Sequence, residues 1–164
     1  MKSLEDLSIH FLKDIYYAER QILKALPKIA KAAQSDTLKQ AFTQHREETQ
    51  HQIERLQQVF EAIGKRAQGV TCEAMNGIIE EAEELLEEAR EPSPVLDAGL
   101  IACGQAIEHY EMSRYGAMIA WAKATGQNQV VQLLEQTLQE EKKTDTLLND
   151  LANGKINQQA AKAA

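Results

Sequence analysis

The sequence predicts an all-α fold: a bundle of four long helices with one long crossover and a short fifth helix inside it. Three observations point there. Apolar residues recur at helical spacing along nearly the whole chain, and no segment alternates as a strand does. Turn signals at residues 34–36 and 125–128 divide the long periodic stretches into two hairpins. About thirty residues join the hairpins, far more than a tight helix–helix turn needs.

The first helix is expected from Ser3, where Ser3 and Asp6 make a capping-box pattern, to about Ala33. Its apolar stripe runs Leu4, Leu7, Phe11, Ile15, Ala18, Ile22, Leu26, Ile29, and keeps its phase past Pro27, which reads as a kink rather than an end. Ser35 or Asp36 caps the second helix, which runs to Gly64 on Leu38, Phe42, Leu56, Val59, Phe60 and Ile63. The crossover holds the short helix, about Thr71 to Arg90, stopped by Pro92-Ser93-Pro94. Ser93 as cap with Pro94 at the first helical position opens the third long helix, and Gly126 terminates it. The fourth runs from about Asn128 to Ala152 and is expected to close at Asn153-Gly154. One bundle domain over residues 1–154 is therefore expected, followed by a polar, Ala-rich tail at 155–164, a short helix or a loose end.

Tight turns make each hairpin antiparallel. The second helix spans roughly 43 Å at about 1.5 Å per residue, and the crossover is long enough to return along it. The second and third long helices should then be parallel, which is the ferritin-like variant of the bundle.

Composition narrows the function classes. The chain has 164 residues, 43% of them hydrophobic, enough for one domain with a proper core. Its formal net charge of -7 argues against a nucleic-acid partner. Much of that charge sits at residues 80–91, where seven Glu and one Arg read as a solvated helix face. MKSLEDLSIHFLKD carries acids too early and lacks the apolar region of a signal peptide, and no apolar run is long enough for a membrane span. Cys72 and Cys103 are too few for a disulfide framework or a thiolate metal site. A cytoplasmic protein is expected.

Charged residues on the core stripes are the informative departures. Glu19 lies between Ile15 and Ile22; Glu48 shares a row with Ala41, Gln52 and Val59, with His51 three residues on. Ile101, Gly104, Glu108, Glu111, Tyr115 and Met118 form one row, and Leu134, Leu138, Glu141, Asp145 and Leu148 another. Measured from the hairpin turns, Glu19, Glu48, Glu111 and Glu141 agree in depth to within about 3 Å, and Glu108 matches Asp145. Desolvated carboxylates gathered without counter-charge cost several kcal/mol each. No lysine lies on the central stripes, and only Arg55 is near. Two divalent ions would bring five or six carboxylates close to neutrality. Glu19, Glu48, His51, Glu108, Glu111, Glu141 and Asp145 are the candidate ligands, with either His51 or Gln52 facing inward. Mostly oxygen donors favour iron or manganese over zinc or copper. His45 lies about one and a half turns from the expected metal level and reads as core or surface. His10 and His109 carry no case for ligation.

The segments DIYYAERQ, HREETQHQIERL, IEHYEMSRYG and LEQTLQEEKKTD resemble the YciF family of bacterial stress-associated ferritin-like proteins, nearly end to end. The resemblance implies a homodimer and a site similar to that of rubrerythrin. Carried over, the rubrerythrin pattern falls on Glu19, on Glu48 and His51, on Glu108 and Glu111, and on Glu141. It departs after Glu141, where Thr144 and Asp145 stand in place of a histidine. The leading expectation is a protein with two iron or manganese ions per subunit, handling peroxide, oxygen or ferrous iron. A non-enzymatic dimer acting through protein contacts during stress is the second, and a cage-forming iron store the third.

Overall fold

In a computed structural model, residues 1–163 are described. The element order is α1 (Leu4–Ala32), α2 (Asp36–Ala62), α3 (Glu73–Ala89), α4 (Pro94–Ala124) and α5 (Asn128–Leu151), then a π-helical turn (Ala152–Ile156) and α6 (Asn157–Ala160). No strand occurs among the described residues. The fold is the ferritin-like bundle that the sequence predicts.

The helix starts follow local chemistry. Ser3, Ser35 and Ser93 each accept a hydrogen bond from a backbone N–H in the first turn of α1, α2 and α4. The Cys72 thiol does the same for α3. Pro27 lies inside α1 without ending it. Gly64 and Gly126 adopt φ of +67° and +71° just beyond α2 and α4, a conformation that glycine reaches without Cβ strain.

α1 pairs with α2 and α4 with α5, while α1 also packs on α4 and α2 on α5. The remaining helices, α2 and α4, are diagonal and parallel. Their register is set by a contact that sequence reasoning did not anticipate. Buried Asp97, in the first turn of α4, accepts the backbone N–H of Gln34 at 2.7 Å and of Ser35 at 2.8 Å. The α1–α2 turn is thereby clasped to the start of α4. It follows that the two hairpin turns lie at opposite ends of the bundle.

α3 runs along the outside of α1 and α4, and its glutamates at 80–91 are exposed as expected. Gly99 admits α3: a Cβ there would meet Leu85 Cδ2 at 2.6 Å. α5 does not close at Asn153-Gly154. The π-turn carries the helix through them, and buried Ala152 and Ile156 face α4. No described helix is long and apolar enough to cross a membrane.

Removing the clasp should be costly. Asp97→Ala leaves two backbone donors of a half-buried turn without their acceptor, and charge-assisted bonds of this kind contribute about 1.5–3 kcal/mol. Urea unfolding is expected to show a loss of at least about 2 kcal/mol with an unchanged m-value.

Candidate metal centre

Each long helix delivers part of a polar cluster to an otherwise apolar core. On α1, Glu19 lies between Ile15 and Ile22; on α4, Glu108, Glu111 and Tyr115 follow the stripe of Leu100, Ile101 and Gly104. On α5, Thr137, Glu141 and Thr144 continue the row from Leu134 to Leu148. On α2 the inward row is Leu38, Ala41, Phe42, His45, Thr49, Gln52, Ile53, Leu56. Glu19, Glu108, Glu111, Tyr115 and Glu141 are 0% exposed.

A ligand atom from each of His45, Glu108, Glu111 and Glu141 lies within 4.8 Å of the others. His45 Nδ1 and Glu108 Oε1 are 3.1 Å apart, yet neither makes a hydrogen bond. With the acids ionised, both oxygens of Glu108 and of Glu111, both ring nitrogens of His45, and Glu141 Oε2 are buried without a hydrogen-bond partner; a proton taken up by one acid lets Glu108 bond Glu141 and Glu111 bond Glu19. Leaving such groups unpaired is expensive, so a convergent set of them is the signature expected where a cation belongs.

The rest of the cluster is hydrogen-bonded. Tyr115 OH donates to Glu19 Oε1, and Gln52 Nε2 donates to Glu141 Oε1. Gln52 Nε2 also reaches Glu140 Oε2 at 3.1 Å. Arg55 grips Glu140 with two bonds of 2.8 and 2.9 Å and donates to Thr137 at 2.6 Å.

Electrostatics follow from burial. Desolvation and the charge of Glu141 push Glu19 up to about 8. Burial raises Glu141 to about 7. Desolvation and the neighbouring carboxylates hold Glu108 and Glu111 well above the ordinary range. Burial also lowers His45 to about 4, so its contact with Glu108 is not an ion pair at neutral pH. Arg55 opposes the rise at Glu19 and Glu141 but is already committed to Glu140.

Of the residues expected from sequence, Glu19, Glu108, Glu111 and Glu141 are brought together. Glu48 is half-buried at the rim, accepting from Gln44 at 2.8 Å and from Thr144 at 3.4 Å. Asp145 is also at the rim, beside Gln105 at 3.1 Å and His109 at 3.2 Å. His51 is exposed, and Gln52 is the residue that faces in.

His45 is the ligand-type residue that sequence reasoning missed, and two physical reasons account for it. Depth was measured from both turns as though they shared an end, whereas they lie at opposite ends; Asp97 beside Ser35 puts Glu108 level with His45. The α2 phase was also drawn through Glu48, about a quarter turn from the row that Leu38, Phe42 and Leu56 define. That row was legible, and His45 lies on it.

Residues 3–161 match the family described as a domain of unknown function, DUF892. The chain is 45% identical to Protein YciF of Escherichia coli (strain K12) over 100% of its own length and 99% of that protein's. It matches the crystal structure of the E. coli stress protein YciF at a TM-score of 0.90 and 46% identity, covering 96% of this chain and 99% of that one. A structure described as YcfI, a putative structural protein from Rhodopseudomonas palustris, matches at 0.87 with 50% identity, over 90% and 94% of the two chains. A protein from Xanthomonas campestris pv. campestris, 22% identical with a TM-score of 0.69 over 90% of this chain and 89% of that one, shares the fold alone.

The raised carboxylates set a pH dependence. Glu19 and Glu141 bind protons more tightly folded than unfolded, so their contribution is complete below about 4.5 and is lost as pH rises through about 7 to 8. His45 acts oppositely, losing stability as pH falls from 6.5 towards 4, but it is one group against several. Metal-free protein should therefore melt at a lower temperature at pH 8 than at pH 5.5, by calorimetry in the presence of chelator.

Proposed function

The chain belongs to the DUF892 family, that of the YciF-like proteins, and from that premise we propose that its buried His–carboxylate cluster is an iron or manganese site serving a stress response. The observation that carries this reading is the set of convergent, unpartnered donor atoms on His45, Glu108, Glu111 and Glu141. One imidazole among carboxylates suits iron or manganese better than zinc or copper. The stress role is taken from the E. coli relative, which is described as a stress protein. Homodimerisation belongs to the same proposal and rests on the resemblance.

When bound, such an ion supplies Lewis acidity and one-electron chemistry. The chain's own residues do the remainder. Gln52 holds one oxygen of Glu141 and leaves Oε2 facing the cluster. Tyr115 holds its proton against Glu19. The ligand residues are buried, so a substrate that reaches them must be very small. Peroxide, dioxygen and ferrous ion meet that condition, and an organic substrate does not.

A second reading, a non-enzymatic dimer acting through protein contacts, draws on the hydrogen bonds to Glu19 and Glu141. In these, neutral side-chain donors and no cation satisfy part of the cluster.

Metal analysis of protein purified without added metal or chelator distinguishes the two, with iron or manganese expected to co-purify. Mn(II) at a hundred times its pH 7 Kd should stabilise the fold by about 2.7 kcal/mol at pH 7, and the same concentration should stabilise it by less at pH 5. His45→Ala and Glu111→Gln should abolish that response, whereas His51→Ala should leave it intact. A melt indifferent to metal, with destabilisation by Glu111→Gln, favours the purely structural network.

A further inference from the structure

The rubrerythrin-like pattern carries an expectation of two ions per subunit, but the two sides of this cluster are not equivalent. We propose that the centre takes a single tightly held divalent ion, at His45, Glu108, Glu111 and Glu141, and that Gln52 and Tyr115 occupy with hydrogen bonds the place where a second ion would need ligands. The proposal rests on the metal reading above and concerns how many ions that site holds.

His45, Glu108, Glu111 and Glu141 form the four-donor group, and both ring nitrogens of His45, both oxygens of Glu108 and Glu111, and Oε2 of Glu141 have no hydrogen-bond partner. The remaining polar groups of the cluster are Glu19, Gln52 and Tyr115. Glu19 Oε1 already accepts the Tyr115 hydroxyl, and Glu141 Oε1 already accepts the Gln52 amide. Apart from the second oxygens of Glu108 and Glu111, what remains is Glu19 Oε2 and the amide oxygen of Gln52, and neither of these last two residues belongs to the four-donor group. A neutral amide is a poor substitute for a carboxylate or imidazole in holding a divalent ion.

Gln52 is itself held in place. Its Nε2 is shared between Glu141 and Glu140, and Glu140 is gripped by both terminal nitrogens of Arg55, which is tied to Thr137. With two acceptors on its nitrogen, the amide has its N–H₂ rather than its oxygen directed at Glu141. Turning it over would place an oxygen against two carboxylates. The chain Thr137–Arg55–Glu140–Gln52 therefore does for Glu141 what an outer hydrogen bond does for any ligand, fixing which oxygen is free. It also puts a donor, not a ligand, on the α2 side of the cluster.

Mn(II) is the probe, because isothermal titration counts ions and electron paramagnetic resonance distinguishes an isolated ion from a coupled pair. Chelator-treated wild-type protein should take one Mn(II) per chain with the hyperfine-split signal of an isolated ion. Two tight ions per chain with an exchange-coupled signal would overturn the proposal. No tight ion at all would overturn the metal reading on which it rests, a separate and recognisable result. Gln52→Glu should admit a second, coupled ion; a variant that still holds one refutes the role given to Gln52. Glu19→Gln, which alters only the side without an ion, provides a reading that does not depend on folding of the Gln52 variant. It should keep the affinity for the single ion, and a loss of about tenfold or more, the scale of a disrupted ligand shell, counts against the assignment.

Discussion

The structure is organised around the cost of four carboxylates placed, fully buried, in the middle of an apolar bundle. Each desolvated anion costs several kcal/mol, and no lysine or free arginine enters to neutralise them. Protons, neutral donors and a cation are the available remedies, and the cluster divides between them. Glu19 and Glu141 have neutral donors, whereas Glu108 and Glu111 have none. The single nearby guanidinium is spent on Glu140, outside the cluster; it is linked to Glu141 by hydrogen bonds only through an amide, and its charge only partly offsets the rise at Glu19 and Glu141.

Such a cluster is tolerable only if it cannot relax toward water. Long helices put roughly four turns of packed apolar residues on each side of it, and the row of Phe42, Gly104 and Leu148 illustrates how close that packing is. A Cβ on Gly104 would lie 3.0 Å from Leu148 and 3.1 Å from Phe42. Glycine here brings α4 against its neighbours one turn from Glu108. The outer helix α3 contributes no ligand; it covers α1 and α4 and keeps its glutamates in solvent.

The helices, their caps and the parallel relation of α2 and α4 were legible because each rests on a local signal: a serine before a periodic run, a glycine after it, a crossover long enough to return. Acidic residues on well-defined apolar rows were legible as well, which is why Glu19, Glu108, Glu111 and Glu141 were named. α2 was harder to phase. Between Phe42 and Ile53 its sequence, TQHREETQHQ, contains no aliphatic residue, so the facing row must be interpolated from the flanks, and an error of one residue exchanges Thr49 and Gln52 for Glu48 and His51. The level of His45 depended on which end each turn occupies, information held by the non-local Asp97 clasp. The π-turn through Asn153-Gly154 depends on packing against α4 rather than on a local stop signal.

The clasp between Asp97 and the α1–α2 turn also bears on the order in which the molecule comes together. Each hairpin can form from neighbours in sequence, but docking the α1–α2 turn on the start of α4 closes a loop of some sixty residues and is the slow, non-local event of folding. The cluster straddles that division: Glu19, His45 and Gln52 come from the first hairpin, and Glu108, Glu111 and Glu141 from the second. Neither half carries the whole donor set. A nascent or partly docked chain therefore presents ions with fragments of the centre, and the assembled donor set becomes a property of the finished topology alone.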